Sequence, residues 1–144
     1  MRWRLVYDLA VDPNMAVMAA VTMTGEGLSK EPAVIGTAEW WSLLGSDQLR
    51  LHSIEGRIER VYWTGHGDFP EFDLAADDGT HQTWPRHGDH TLYLEGLRVR
   101  VQWTEHPLSA KAAELMPPEL GPSSELCVRV EIEESDVRSE STGR

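Results

Sequence analysis

Cysteine is almost absent from this sequence, since Cys127 is the single one among 144 residues. One cysteine cannot form an internal disulfide, and it cannot supply the four thiolates of a cysteine-only zinc site. A chain of this length hides about 70% of the surface of its unfolded form, so it can fold without such cross-links. The composition therefore predicts an ordinary globular protein in a reducing compartment, and we expect a cytoplasmic location.

Long apolar runs are also missing. The longest uncharged stretch near the N-terminus covers residues 13–25, well short of the about 20 apolar residues that span a bilayer. Arg2 and Arg4 precede this stretch as in a signal peptide, but Asp8 and Asp12 interrupt the approach and no small-residue cleavage site follows. We therefore expect a soluble protein without a membrane partner.

Basic residues are too few to balance the acidic ones. There are 13 Lys and Arg against 24 Asp and Glu, so the formal net charge is −11. Proteins that bind the nucleic-acid backbone directly usually carry a clustered basic footprint, and such binding is not expected here. A large negative charge speeds association with a basic target, so a basic protein partner, or simple solubility, is the better inference. Arginine supplies eleven of the basic residues, a bias typical of GC-rich bacterial genomes.

Alternation of apolar and polar residues predicts a mostly-β chain. Residues 97–103 alternate most regularly, and residues 2–10 and 126–132 follow the same pattern. In residues 54–64 the apolar phase slips by one position, which predicts a β-bulge near Glu59.

Turn and capping residues predict where these strands are interrupted. The Asp-Gly pair in residues 77–80 predicts a hairpin. Short helices are expected over residues 37–44 and 109–116. Residues 15–24 fit either a strand or a short helix, and we slightly favour the strand.

This order of short strands predicts a small antiparallel β-barrel or sandwich with one or two short helices. The specific expectation is an SH3-like or OB-like barrel over residues 51–106, extended by the first and last strands. We assign residues 1–134 to a single mostly-β domain. Residues 135–144 lack apolar periodicity and are expected to form a disordered C-terminal tail.

Histidines concentrate in two predicted loops, where His-Gly-Asp occurs twice. Loops at strand ends can bring such side chains together around a divalent metal such as zinc. The candidate ligands are His66, Asp68, His87 and His90. Exposed turns also collect these residue types, and no HExxH signature is present, so we expect no cofactor and keep the metal as the alternative.

Other catalytic patterns are missing. The sequence contains no G-x-S-x-G nucleophile elbow and no glycine-rich phosphate loop. We therefore favour a non-enzymatic acidic protein-binding domain, of the inhibitor, immunity or adaptor type. The alternative is a small metal-dependent enzyme that uses the histidine and aspartate loop cluster.

The predicted binding surface combines residues 65–73 with residues 86–90. Aromatic side chains beside prolines at loop edges are suited to anchor a partner, and nearby carboxylates would attract a basic one. The predicted anchors are Phe69 and Trp84, the predicted charges are Asp68, Glu71 and Asp73, and Arg86 completes the set.

Overall fold

The computed structural model describes residues 2–117, 121 and 123–134. This part of the chain forms one sheet of six antiparallel strands in the order β1-β6-β5-β2-β3-β4, together with three α-helices. The mainly antiparallel β prediction is confirmed, and the sheet is open rather than closed. None of the described helices is long and apolar enough to cross a membrane. The elements are β1 (Trp3–Asp8), α1 (Asn14–Met23), α2 (Ala38–Leu43), β2 (His52–Thr64), β3 (Phe69–Ala76), β4 (His81–Pro85), β5 (Arg98–Pro107), α3 (Ala110–Leu115) and β6 (Ser123–Glu133).

Local signals placed most of these elements correctly. The β2–β3 register shifts between Ile58 and Arg60, so the bulge predicted near Glu59 is confirmed. The hairpin turn between β3 and β4 contains Gly79 at φ +91°, a backbone conformation that glycine adopts without steric cost. The two short predicted helices are α2 and α3.

The slight preference for a strand over residues 15–24 is wrong, because this segment is helix α1. The Asp12 carboxylate accepts the Asn14 N–H at 2.8 Å, and Pro13 fits the start of a helix because its φ is already suitable. Gly25, at φ +84°, follows the helix. Apolar alternation alone could not separate the two forms, since the segment is uncharged and almost entirely apolar. The Met and Ala residues within it are good helix formers.

The chain divides into two compact units. Of the described residues, unit 1 contains 2–8, 53–101 and 129–134, and unit 2 contains 9–52, 102–117, 121 and 123–128. That residues 1–134 form one domain stays a prediction, and the predicted tail, residues 135–144, lies outside the described residues. The almost fully buried side chains of unit 1 include Ile58, Phe72, Leu74, Val99, Val101, Val130 and Ile132.

The core of unit 2 contains a hydrogen-bonded histidine. His106 is fully buried. The Trp40 indole N–H donates to His106 Nδ1 at 3.1 Å, and His106 Nε2 lies 2.8 Å from the Ser29 carbonyl oxygen. Both contacts are satisfied only by the neutral ring with its proton on Nε2. Burial lowers the pKa of His106, although the hydrogen bond to Ser29 opposes this shift.

Unit 2 should therefore lose stability when the pH falls below the ordinary histidine pKa of about 6.5. Above that pH the ring is neutral in both states; below it the unfolded chain takes up a proton that buried His106 resists. The free energy of unfolding should fall by up to about 1.4 kcal/mol per pH unit from this group.

Urea denaturation of the wild type and of His106→Gln between about pH 7 and pH 5.5 measures this effect. The variant is expected to be less stable at neutral pH but to show a shallower pH dependence. Equal slopes for the two proteins would contradict the assignment to His106.

Candidate functional site

Both predicted loops lie in unit 1, at the end of the β2–β3 hairpin and directly after β4. The Arg86 backbone N–H donates to the Pro70 carbonyl oxygen at 2.9 Å. This bond joins the segment after β4 to the start of β3, where Pro70 is the second residue. The structure therefore brings residues 65–73 and the start of residues 86–90 to the same end of the sheet.

The tip of the β2–β3 hairpin presents an aromatic ring and an acidic side chain. Phe69 is 60% exposed, and Asp68 beside it is also exposed. A Cβ at Gly65 would lie 2.4 Å from Phe69 Cδ2, so the ring packs directly over the bare glycine backbone. Because Gly65 has no side chain, the Phe69 ring can lie over its backbone in an outward position.

Two carboxylates of this region are free to meet a partner. Asp68 is exposed and Glu71 is half-buried, and neither forms an ion pair with any other described residue. Glu71 pairs with Pro85 across the β3–β4 ladder, and side chains two residues apart on a strand share a face. Phe69 and Glu71 therefore face the same side of the sheet.

Asp73 was predicted as a third exposed charge, but it belongs to a hydrogen-bonded network on the sheet face. Tyr62 Oη donates to its carboxylate at 2.7 Å, Thr83 Oγ1 at 3.0 Å and Arg60 Nε at 3.2 Å. The Tyr62 hydrogen bond, with further help from Thr83 and Arg60, lowers the pKa of Asp73. The same bond raises the pKa of Tyr62. Asp73 thus links β2, β3 and β4 and offers little charge to a partner.

Trp84 was predicted as an exposed anchor, and the structure corrects this. Its side chain is only 6% exposed, and it pairs across the ladder with the fully buried Phe72. The indole N–H donates to Gln82 Oε1 at 2.8 Å. Trp84 lies on the core face of β4 because alternate residues of a strand face opposite sides, so it cannot anchor a partner.

Arg86 is also buried, at 8% exposed. Its Nη2 donates to the Tyr62 carbonyl oxygen at 2.9 Å, and its guanidinium carbon lies 5.2 Å from the centroid of the Trp63 ring. Its Nε is buried without a hydrogen-bond partner. The side chain supports the end of β2 and retains unused donor capacity.

Trp63 is an aromatic residue of this region that the sequence analysis did not select. Trp63 shares a face of β2 with Val61, which pairs with the buried Phe72, yet its ring is 49% exposed. Trp63 stands one residue before the end of β2, where fewer neighbouring strands cover a core-facing side chain. Its place near the turn at Gly65 is the signal that could have identified it.

The predicted metal ligands pack against aromatic rings or face solvent rather than one another. His87 stacks on Tyr7 with centroids 4.6 Å apart, and His90 meets Trp63 edge-on at 5.2 Å. In the part of the chain that the structure describes, no three His, Cys, Asp or Glu side chains are placed to hold one metal ion. The structure therefore does not assemble the predicted set of His66, Asp68, His87 and His90.

An exposed phenylalanine beside unpaired carboxylates on a β-hairpin is the kind of surface with which a protein can bind another protein. A family model described as Immunity protein RhsI2 matches residues 4–119 of the chain. The chain belongs to this family of immunity proteins. A comparison with curated proteins found no match.

Family membership settles the broad function. An immunity protein acts by binding a protein partner, a toxin, and it is not an enzyme. The prediction of an immunity-type protein-binding domain is therefore confirmed, and the metal-dependent enzyme alternative is not supported.

Proposed function

We propose that the protein neutralises its toxin through the end of the β2–β3 hairpin, and that the toxin presents a basic surface there. We call this region the hairpin-end surface; its members are Asp68, Phe69 and Glu71, and the largely buried Arg86 lies next to it. The observation that carries the proposal is the outward Phe69 ring beside two carboxylates without internal partners. A large apolar side chain next to free charge combines a buried anchor with electrostatic steering.

Several other carboxylates of unit 1 are less suited to attract a partner because arginines already pair with them. Arg98 pairs with Glu55 at 2.8 Å and also with Asp77, and Arg100 bridges Glu55 and Glu131 at 3.3 Å each. These pairs form a ladder across β6, β5 and β2. The unpaired acids at the hairpin end, in contrast, keep their full charge for an approaching toxin.

We further propose that the protein acts in the cytoplasm and binds its toxin without a metal, a nucleic acid or a membrane. The net charge of −11 opposes binding to a phosphate backbone and to an anionic lipid surface. A protein–protein contact built on one ring and two carboxylates needs no cofactor.

The double variant Asp68→Asn/Glu71→Gln tests the charge contribution without changing side-chain size. We expect association with the cognate toxin to slow by about tenfold at about 20 mM salt, and the difference to shrink at about 500 mM salt, because salt screens steering. Stopped-flow association and calorimetric titration measure the effect, and a chelator in parallel samples should change neither.

The matched control is Asp47→Asn/Glu114→Gln, which removes two exposed charges from unit 2. It changes the net charge by the same amount at positions outside the hairpin-end surface. If the control slows association as much as the test variant, total charge matters and the hairpin end is not the toxin site.

A further inference from the structure

Arg86 is the least exposed arginine of the described residues, and it is the one among the buried or half-buried arginines that lacks a counter-ion there. Its side chain has one hydrogen bond, to the Tyr62 carbonyl, and its Nε is unpartnered. Burying a charge without a partner is costly, whereas a paired and hydrogen-bonded charge is tolerated. The free protein therefore carries an incomplete ionic site.

Other arginines of unit 1 have carboxylate partners although they are more exposed, so the missing counter-ion distinguishes Arg86. Half-buried Arg98 and Arg100 each pair with two carboxylates. Even Arg60, which is largely exposed, pairs with Asp73 at 3.2 Å while lying 4.3 Å above the Tyr62 ring. Arg86 resembles Arg60 in its aromatic neighbour but lacks the carboxylate.

The surroundings of Arg86 suit an incoming carboxylate. The half-exposed Trp63 ring forms one wall, and His90 meets that ring edge-on. Aromatic walls exclude water and strengthen an ionic hydrogen bond. The planar guanidinium matches the two oxygens of a carboxylate through its terminal amino groups.

The site adjoins the hairpin-end surface. The Arg86 backbone N–H is bound to Pro70, which lies between Phe69 and Glu71 in the sequence. Alternation along β3 places Phe69 and Glu71 on the face opposite to Pro70 and its cross-strand partner Trp63, so a toxin that contacts both Phe69 and Trp63 must lie across the end of the hairpin. Together, the hairpin-end surface and the Arg86 site contain two carboxylates and one guanidinium group.

We propose that Arg86 receives a carboxylate of the toxin, from an Asp or Glu side chain or the C-terminus, beside Trp63. This inference rests on the proposed function and adds the chemistry that selects the partner. A basic toxin surface without a carboxylate at that point leaves the arginine buried and unpaired, so it is rejected. Opposite charges at a defined position set the register and the specificity of a complex.

The test compares Arg86→Met with Arg60→Met in titrations against the cognate toxin. Both substitutions remove an arginine that lies over an aromatic ring, but only Arg86 lacks an internal carboxylate. We expect Arg86→Met to weaken binding by at least about 30-fold and Arg60→Met by less than about 3-fold. Arg86→Lys should give an intermediate loss, because it keeps the charge but not the planar fork. Thermal melting checks that each variant is folded.

A toxin-side scan identifies the partner carboxylate. Neutralising each toxin acid in turn, Asp to Asn or Glu to Gln, should reveal one position whose loss is non-additive with Arg86→Met. A folded Arg86→Met that binds within about 3-fold of the wild type, or the absence of any coupled acid, overturns the inference.

The two proposals fail in distinguishable ways. If Asp68→Asn/Glu71→Gln slows binding while Arg86→Met has no effect, only the carboxylate site is wrong. If the wild-type protein does not bind the toxin, the proposed function itself fails. If Arg86→Met does not fold, the Nε–H NMR resonance of Arg86 is compared in the free and the toxin-bound wild-type protein. A carboxylate bound to the guanidinium must shift this resonance, and an unchanged resonance overturns the inference.

Discussion

Replacing Trp40 by alanine is expected to lower the free energy of unfolding by about 3–5 kcal/mol. The side chain is fully buried in unit 2. Its indole N–H donates to His106 Nδ1 at 3.1 Å, a hydrogen bond that only the neutral imidazole can accept. The substitution leaves a cavity and an unpaired buried acceptor, and both cost free energy. Helix α2 has only six residues, too few to be stable without tertiary contacts.

Trp41→Ala is the matched control, since the neighbouring ring has the same size but is only half-buried. The two rings meet edge-on with centroids 4.9 Å apart. We expect Trp41→Ala to cost clearly less than Trp40→Ala in urea denaturation. Similar losses of unfolding free energy in the two variants would show that the burial of Trp40 and its hydrogen bond to His106 add little to stability.

Gly88→Ala is expected to lower the free energy of unfolding by about 2–4 kcal/mol. Gly88 has φ +76°, and a Cβ there would lie 2.3 Å from the Val6 carbonyl oxygen of β1. A backbone atom of a paired strand cannot move aside cheaply. The segment that carries Arg86, His87 and His90 must therefore shift, and toxin binding should weaken as well.

Gly67→Ala is the control that isolates the effect of the positive φ on the free energy of unfolding from the effect of the collision with Val6. Gly67 has a similar φ of +87°, but a Cβ there meets no atom within 4 Å. This control should cost about 1–2 kcal/mol, the strain of a left-handed non-glycine residue. Equal losses at the two glycines would mean that the contact with Val6 is relieved elsewhere at no cost.

Local sequence patterns predicted most of the fold because the forces behind them are local. The phase slip after Ile58 indicated the bulge, and the Asp-Gly pair indicated the β3–β4 turn. Thr37 and Ser109 marked two helix starts, and each side chain accepts a backbone N–H there. Residues 15–24 were the exception, since an apolar run without alternation of charge suits a helix and a strand equally.

The candidate site was predicted only in part. The sequence identified the hairpin end and the exposed residues Asp68 and Phe69. It did not show that Trp84 faces the core or that Asp73 is held by Tyr62 and Arg60. It also missed the exposed ring of Trp63.

The sequence by itself determined a mainly β, acidic, protein-binding character, because strand alternation, turn residues and net charge are properties of the chain alone. Tertiary structure alone decided which polar groups are already paired. Asp73 and Glu55 receive partners from other strands, while Asp68, Glu71 and Arg86 receive no carboxylate or cation among the described residues. Pairing depends on which strands lie side by side, and the residues that meet across a sheet are distant in the sequence.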